Sequence, residues 1–183
     1  HQIATATNSF TAGGVDMDHV EWFIADSYSH WSRDWGPQAL FDGNGDWGIP
    51  DPWLDGYPWI PREVTGYEDD DDTPAEFATY LAEPNRHPPF YLTGGNIMFD
   101  GHGAAFCSEA QVSENNHLSE SAFRAALQTW CGVDTLVVLP NTEGHGIQHI
   151  DCVAKFLDEE TVMVKELYGG HPDAPHVEQN AQI

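Results

Sequence analysis

The sequence predicts an α/β protein with mixed β-sheets. Short apolar segments with strand character are separated by turn-forming residues, amphipathic helices lie between them, and the order strand, hairpin strand, helix, strand recurs. That order is most complete from Asn96 to Leu139. No GxGxxG motif follows a predicted strand, which argues against a dinucleotide-binding Rossmann fold. The 183 residues suffice for one domain with a sizeable core.

The first third of the chain predicts two strands and a long loop. The apolar segment Val20–Ala25 reads as the first strand, and a polar turn follows it. Gln38–Phe41 is predicted as the second strand, which ends at the turn-forming residues 42–45. Gly48–Pro61 is rich in Pro, Gly and Trp and has no periodicity, so we expect a long loop that is placed for function.

A run of five acidic residues, Glu68–Asp72, precedes the first predicted helix. Clustered oxygens could bind calcium, but the run lacks the glycine and the spaced ligands of an EF-hand, so a solvated acidic loop is the favoured interpretation. Thr73 and Pro74 suit the N-cap and first position of a helix. The apolar stripe of that helix comprises Phe77, Tyr80 and Leu81.

The second half of the chain predicts two hairpins and a buried strand. Tyr91–Asp100 reads as two strands interrupted by Gly-Gly, and Ala104–Ser108 returns as the hairpin partner. The apolar segment Thr135–Leu139 predicts a buried strand. His149–Leu157 is predicted as a further strand, with Thr161–Lys165 as its hairpin partner.

Between the first hairpin and the buried strand the sequence predicts an amphipathic helix. Ser119 or Ser121 can cap its first turn, and the helix extends to Trp130. Gly132 is suited to the left-handed residue that terminates a helix. The core-facing stripe comprises Phe123, Ala126, Leu127 and Trp130.

The chain is strongly acidic. Thirty acidic residues against six basic ones give a net charge of −24. Such a surface repels nucleic acid and anionic membranes, whose phosphates require Lys and Arg, and it attracts cations such as guanidinium and amines. Solubility in a salty environment is the favoured reason for the charge, and the two interpretations are compatible. With 40% hydrophobic residues, the chain is too apolar to be disordered.

Cysteines and targeting signals constrain the compartment only weakly. Cys107, Cys131 and Cys152 cannot all pair within the chain, and their spacing matches neither a zinc ribbon nor a CxxC motif, so we expect mostly buried thiols. No stretch of about 18 apolar residues predicts a membrane helix. No signal peptide is visible, but the chain opens without methionine, so both cytoplasmic and secreted locations remain open.

His149-Ile150-Asp151 is the first candidate for chemistry. On a strand, His149 and Asp151 would project to one face and Ile150 to the opposite one. That pair suits an imidazole that transfers protons beside an acceptor for a cation, although a strand-edge histidine with a solvated aspartate is the simpler interpretation. A metal site formed with His145 is a third interpretation, in which the flanking glycines leave the direction of His145 unfixed.

The segment from Trp31 to Pro37, WSRDWGP, is the second candidate. The indole of Trp31 and the carboxylate of Asp34 could together hold a planar cation, with Arg33 as a buried counter-ion of the carboxylate. A structural aromatic turn explains the same residues. Thr93–Asn96 (TGGN) is a weaker signal, since a Gly-Gly pair most often marks a structural bulge.

Three segments in this order, WSRDWGP, LTGGNIMFDGHGAAFCSE and GIQHIDCVAKFLD, resemble the guanidino-group modifying enzyme superfamily, and within it the bacterial peptidylarginine deiminase and agmatine deiminase family. The resemblance extends from Val20 to Lys165. It implies a pseudo-fivefold α/β propeller of ββαβ blades around a central active site. A full propeller does not fit in 183 residues, so we expect residues 1–183 to form a partial catalytic domain with two to three blades.

The resemblance also implies roles for individual residues. Asp34 and Asp151 would bind the substrate guanidinium, Trp31 would line the pocket, and His149 would act as general acid and base. A cysteine would attack the guanidinium carbon, and the reaction would need no cofactor. TGGN and QHIDC look closer to the peptidylarginine branch, which needs a cationic site, and Arg62 is offered for it.

The sequence departs from the family at the nucleophile, which the family places far downstream of the H-x-D motif. On the predicted strand Cys152 would point away from the site, and the other two cysteines look like core residues. We therefore expect a guanidine deiminase acting on peptidyl-arginine or agmatine, with this chain inactive alone. The alternative is a non-catalytic module that binds a guanidine or another cation. The oligomeric state is left open.

Overall fold

The computed structural model describes residues 2–54, 67–141, 143–144 and 146–183. The helices are α1 Gln2–Ala12, α2 Ser32–Trp35, α3 Tyr67–Leu81, α4 Glu109–Glu114, α5 Glu120–Cys131 and α6 Ala174–Asn180. The strands are β1 Leu40–Phe41, β2 Trp47–Pro50, β3 Asn85–Arg86, β4 Ile97–Phe99, β5 Ala104–Ser108, β6 Thr135–Leu139, β7 Ala154–Phe156 and β8 Val162–Val164. The predicted mixed α/β class is confirmed.

Two three-stranded sheets share one topology. In the first sheet β1 is antiparallel to β2 and β3 is parallel to β2, with α3 connecting β2 to β3. In the second sheet β4 is antiparallel to β5 and β6 is parallel to β5, with α4 and α5 in the connection. The predicted ββαβ unit therefore occurs twice. β7 and β8 form a further antiparallel hairpin.

The core is built on both faces of the second sheet. On one face α5 packs its buried side chains Phe123 and Leu127, and the other face contacts Ile150. Consequently the central strand β5 is buried on both sides, as is usual for a strand covered by two layers. The sequence prediction for α5 is confirmed at both ends: Ser119 caps it, and Gly132 ends it in the left-handed conformation with φ of 68°.

The prediction of a strand at Val20–Ala25 is wrong, since this segment is not part of a described β-ladder. It packs instead on α3, where the ring of Phe23 lies 5.2 Å from Phe77 and 5.3 Å from Tyr80. Apolar sequence alone does not supply the hydrogen-bonding partner that makes a strand. The predicted loop Gly48–Pro61 is also wrong at its start, which lies in β2, and residues 55–61 lie outside the described part of the chain.

The solvated loop predicted for Glu68–Asp72 is wrong, because these residues form the first turns of α3. Acidic side chains near a helix N-terminus are stabilised by the helix dipole, so the helix begins before Pro74 and includes it. The predicted stripe is wrong as well. The buried face comprises Asp70, Thr73, Pro74 and Ala78.

The strand predicted from His149 begins only at Ala154, because a short 3-10 helix occupies Ile150–Cys152. Its hairpin with β8 is confirmed. The sequence pattern predicts none of the helices α1, α2, α4 and α6. Within the described residues, no helix has the length and apolar character needed to span a membrane.

Leu127→Ala should lower the free energy of unfolding by about 2–5 kcal/mol, because the leucine is fully buried and its removal leaves a cavity. Leu157→Ala is the matched control: Leu157 is 61% exposed, so its change should stay within about 0.5 kcal/mol. Urea unfolding followed by circular dichroism measures both. Equal losses for the two variants would contradict the position of the core.

Candidate active site

Asp34 is a buried carboxylate on a single helical turn. The residue is 7% exposed, and the backbone N–H of Gly95 donates to its Oδ1 at 3.1 Å. Helix α2 has four residues, too few to be stable alone. Contacts with neighbouring segments therefore fix the direction of this carboxylate, and the hydrogen bond from Gly95 is one of these contacts.

The Gly94-Gly95 pair allows α2 to approach the second sheet. A Cβ atom on Gly94 would collide with the carbonyl oxygen of Arg33, and one on Gly95 would collide with Oδ1 of Asp34. Both glycines are buried within the short 3-10 helix Gly94–Asn96, directly before β4. The sequence-based interpretation of a structural bulge is therefore incomplete, because these two glycines also pack against α2 and the Asp34 carboxylate.

The side chains of His149 and Asp151 also lie next to Gly95. A Cβ atom on Gly95 would lie 2.8 Å from Nδ1 of His149 and 3.0 Å from Oδ2 of Asp151. Oδ1 of Asp34 is closer still to that point, so both carboxylates border one small space next to Gly95. His149 is 3% exposed, and its Nδ1 lies 3.3 Å from Oδ1 of Asp34.

The local geometry at His149 differs from the prediction. His149 precedes the 3-10 helix, so the strand alternation on which the prediction relied does not apply. Ile150 is nevertheless fully buried in the core, as expected, and this anchors the turn that carries its two neighbours. A tight turn has the same effect as a strand here, because it brings His149 and Asp151 to Gly95.

A strained residue precedes this turn. Gln148 has a φ of 61°, in the left-handed region that non-glycine residues seldom adopt. Its side-chain amide donates to the carbonyl of Glu143 at 2.7 Å, and its amide oxygen accepts from the N–H of Glu143 at 3.1 Å. These two hydrogen bonds hold the conformation that directs His149 inward.

The arrangement can bind a flat cation and move a proton. Two carboxylates facing one space offer paired acceptors to the N–H groups of a guanidinium. A proton on Nδ1 of His149 would be shared with Asp34, which leaves Nε2 for exchange with a ligand. Electrostatics favour a cation at this point, because two carboxylates converge there.

The remaining predicted site residues have different positions. Trp31 forms the N-cap of α2, is 53% exposed and packs its ring 4.3 Å from that of His30. Arg33 is exposed and donates to the carbonyl of Ile97 at 3.3 Å, so its predicted burial is wrong. Arg62 lies outside the described residues.

The metal interpretation included His145, which also lies outside the described residues. Within the part of the chain that the structure describes, no group of three or more His, Cys, Asp or Glu side chains could hold a metal ion. The calcium interpretation of Glu68–Asp72 has no support in the positions of these side chains, because Asp70 faces inward and its carboxylate binds backbone N–H groups.

None of the three cysteines is activated as a nucleophile. Burial raises the pKa of Cys107 and Cys131 to about 12 each. Cys152 is exposed, but desolvation by the surrounding protein, together with the charge and hydrogen bond of Asp151, raises its pKa to about 11. Nucleophilic attack requires a thiolate, so these thiols are unreactive near neutral pH.

Comparison with known proteins identifies the family. The family model of Porphyromonas-type peptidyl-arginine deiminase matches residues 1–183, so the chain belongs to this family of peptidylarginine and agmatine deiminases. It is 32% identical over 139 residues to the agmatine deiminase of Pseudomonas putida, covering 63% of this chain and 34% of that protein.

Solved structures share the fold. The agmatine deiminase of C. jejuni matches with a TM-score of 0.78 and 23% identity, over 96% of this chain and 53% of that one. A substrate-bound variant of the C. jejuni enzyme matches with a TM-score of 0.77 and 22% identity, over the same shares of the two chains. The chain thus spans about a third of the length of the curated relative and about half that of the structural neighbours.

Gly95→Ala should destabilise the protein by about 1–3 kcal/mol, because the new methyl group must displace the Asp34 carboxylate from its backbone donor. Gly43→Ala is the control, since a Cβ there meets no atom within 4 Å, and it should change stability by less than about 0.5 kcal/mol. Chemical unfolding compares the two. If both variants were equally stable, the close approach at Gly95 would be wrong.

Alkylation of Cys152 by iodoacetamide should be slow at pH 7 and accelerate about tenfold per pH unit up to about pH 10, because only the thiolate reacts and its pKa is raised to about 11. Mass spectrometry of the peptide that contains Cys152 gives the rate. A plateau near pH 8 would show an ordinary or activated thiol and contradict the environment described.

Proposed function

We propose that the protein hydrolyses a guanidine group to a ureido product and ammonia. The observation that carries this proposal is the convergence of Asp34, His149 and Asp151 on the point where a Cβ atom of Gly95 would lie. Family membership supports it, since the family comprises peptidylarginine and agmatine deiminases. Because the chain spans only part of the length of its relatives, the activity is proposed for the complete gene product.

In this proposal Asp34 and Asp151 bind the guanidinium from two sides, with their oxygens accepting from its N–H groups. The resulting orientation fixes the guanidinium carbon for attack. His149 gives a proton to the departing nitrogen and later takes one from water, and its hydrogen-bonding distance to Asp34 supports that role. Because Gly95 has no side chain, the space that the planar group would occupy stays open.

The nucleophile is proposed to be a cysteine outside the described site. Its thiolate would bond to the guanidinium carbon, ammonia would leave with a proton supplied by His149, and water would then cleave the carbon–sulfur bond to release the ureido product and the thiol. The raised pKa values of Cys107, Cys131 and Cys152 argue against each of them for this step. We accordingly propose that this chain alone releases no ammonia.

The fold of the complete protein is proposed to be the pseudo-fivefold propeller. Each segment of the candidate site lies immediately before the first strand of a sheet: α2 before β1, Gly94–Asn96 before β4, and Ile150–Cys152 before β7. Repeated modules that contribute the same end to a common centre are what a propeller requires. The two ββαβ units and the third hairpin would then form two to three blades.

The substrate is proposed to be a small molecule or a peptide that bears a guanidinium, either agmatine or peptidyl-arginine. The half-exposed indole of Trp31, close in sequence to Asp34, is suited to cover the rest of the ligand by a cation–π contact. Arg62 would serve a peptide substrate by pairing with its carboxylate. No cofactor is required for this chemistry.

The proposal is tested by ammonia release from agmatine and from an arginine peptide with the complete gene product. His149→Gln should lower kcat by about 10²–10⁴-fold, the usual effect of losing a general acid and base. Asp34→Asn and Asp151→Asn should each lower kcat/KM at least about ten- to a hundredfold, because each removes a charged acceptor. Asp69→Asn removes the same charge from an exposed position and serves as the control.

Two results would count against hydrolysis. A complete gene product that binds guanidines but releases no ammonia would instead support the alternative of a non-catalytic binding module, which family membership does not favour. Unchanged turnover in all three site variants would show that the reaction takes place elsewhere in the protein.

A further inference from the structure

Asp70 is a fully buried carboxylate within the acidic N-terminal turns of α3. Its Oδ1 accepts the backbone N–H of Tyr28 at 2.8 Å, and both of its oxygens accept the N–H of Ser29 at 3.2 Å. The neighbouring acids Asp69 and Asp72 are exposed. Burying a carboxylate is costly unless it is hydrogen-bonded, so its placement here indicates a specific connection between α3 and residues 28–29.

Ser29 extends that connection to α2. Its hydroxyl oxygen accepts the indole N–H of Trp35 at 3.0 Å and the backbone N–H of Trp31 at 3.4 Å. Trp31 is the N-cap of α2 and Trp35 is its last residue, so Ser29 holds both ends of the turn that carries Asp34. Asp70 and Asp34 also line the same mainly apolar cavity.

The other end of this connection is firmly supported. Helix α3 packs against β2 and β3 through its buried face, in which Asp70 lies one turn before Pro74 and two turns before Ala78. In contrast, α2 is a single turn whose N-cap has no side-chain hydrogen bond. The first sheet and its helix therefore provide the rigid body, and Asp70 connects α2 to it.

We propose that Asp70 is a positioning residue for the guanidinium-binding carboxylate of Asp34, acting through Tyr28, Ser29 and the two tryptophans that flank α2. The inference rests on the proposed function for its catalytic consequence, but the mechanical link stands on the hydrogen bonds alone. Gly95 donates to the Asp34 side chain directly, whereas Asp70 acts indirectly, through Ser29, on the turn from which that side chain projects.

The mechanical link is tested by amide hydrogen exchange, which needs no ligand. In Asp70→Ala the amides of Asp34 and Gly36, which bond within the turn, should exchange at least about tenfold faster, while amides of α5 keep their protection. Asp69→Asn is the charge-matched control and should change neither region. Unchanged exchange at Asp34 and Gly36 would overturn the proposal.

Ser29→Ala separates positioning from a general loss of stability. It leaves the buried carboxylate with its backbone donors and removes the hydroxyl that accepts the indole N–H of Trp35 and the backbone N–H of Trp31. If Asp70→Ala loosens α5 as well, Ser29→Ala decides. Faster exchange at Asp34 or Gly36, with α5 unchanged, supports the proposal, and any other result overturns it.

The catalytic consequence is measured on the complete gene product with agmatine and an arginine peptide. Asp70→Ala should raise KM about tenfold with a smaller change in kcat, since a displaced Asp34 weakens guanidinium binding more than proton transfer by His149. Asp70→Asn retains an oxygen acceptor and should recover most of that loss. An Asp70→Ala variant with wild-type KM would refute the positioning role. A wild-type protein that turns over no guanidine would refute the proposed function while leaving the exchange result to decide the link.

Discussion

The close approach of Asp34 to Gly95 is the contact on which the rest of the site depends. A carboxylate that is 7% exposed must have donors, and here one donor is a backbone N–H that only a glycine can present at this distance. The same glycine leaves room for His149 and Asp151. One missing side chain therefore satisfies a buried charge and keeps open the space in which a planar cation would be bound.

Elements with strong local signals were predictable from sequence. Helix α5 has a capping serine and a terminating glycine, which agree with the structure, and an apolar stripe, which agrees except at Trp130, a residue that is exposed. Strand β6 and the hairpin of β4 and β5 were equally clear. Val20–Ala25 was not, because its apolar residues pack on a helix, and no sequence pattern reveals whether a strand has a partner.

The candidate site was predictable in its residues but only partly in its geometry. The motifs of Asp34, His149 and Asp151 were identified together, whereas the strand assumed for His149 is a 3-10 turn. The role of Gly95 could not be derived from the sequence, since it arises from contacts with Asp34 and His149, which are distant from it along the chain. Asp70 was assigned to solvent because its neighbours are acidic, and only tertiary contacts distinguish it from them.

The distribution of buried charge explains how an acidic chain can build an acidic site. The neighbouring carboxylates of Asp34 and Asp151 repel each other, and the other acidic residues, which give the chain a net charge of −24, add to that repulsion. Asp34 and Asp70 nevertheless accept hydrogen bonds from backbone N–H groups, whose partial charges are fixed by the fold and add no net positive charge. A lysine or arginine in their place would neutralise the site and compete with a cationic ligand. Support by backbone dipoles stabilises the carboxylates and still leaves their charge available, which is what a binding site for guanidinium requires.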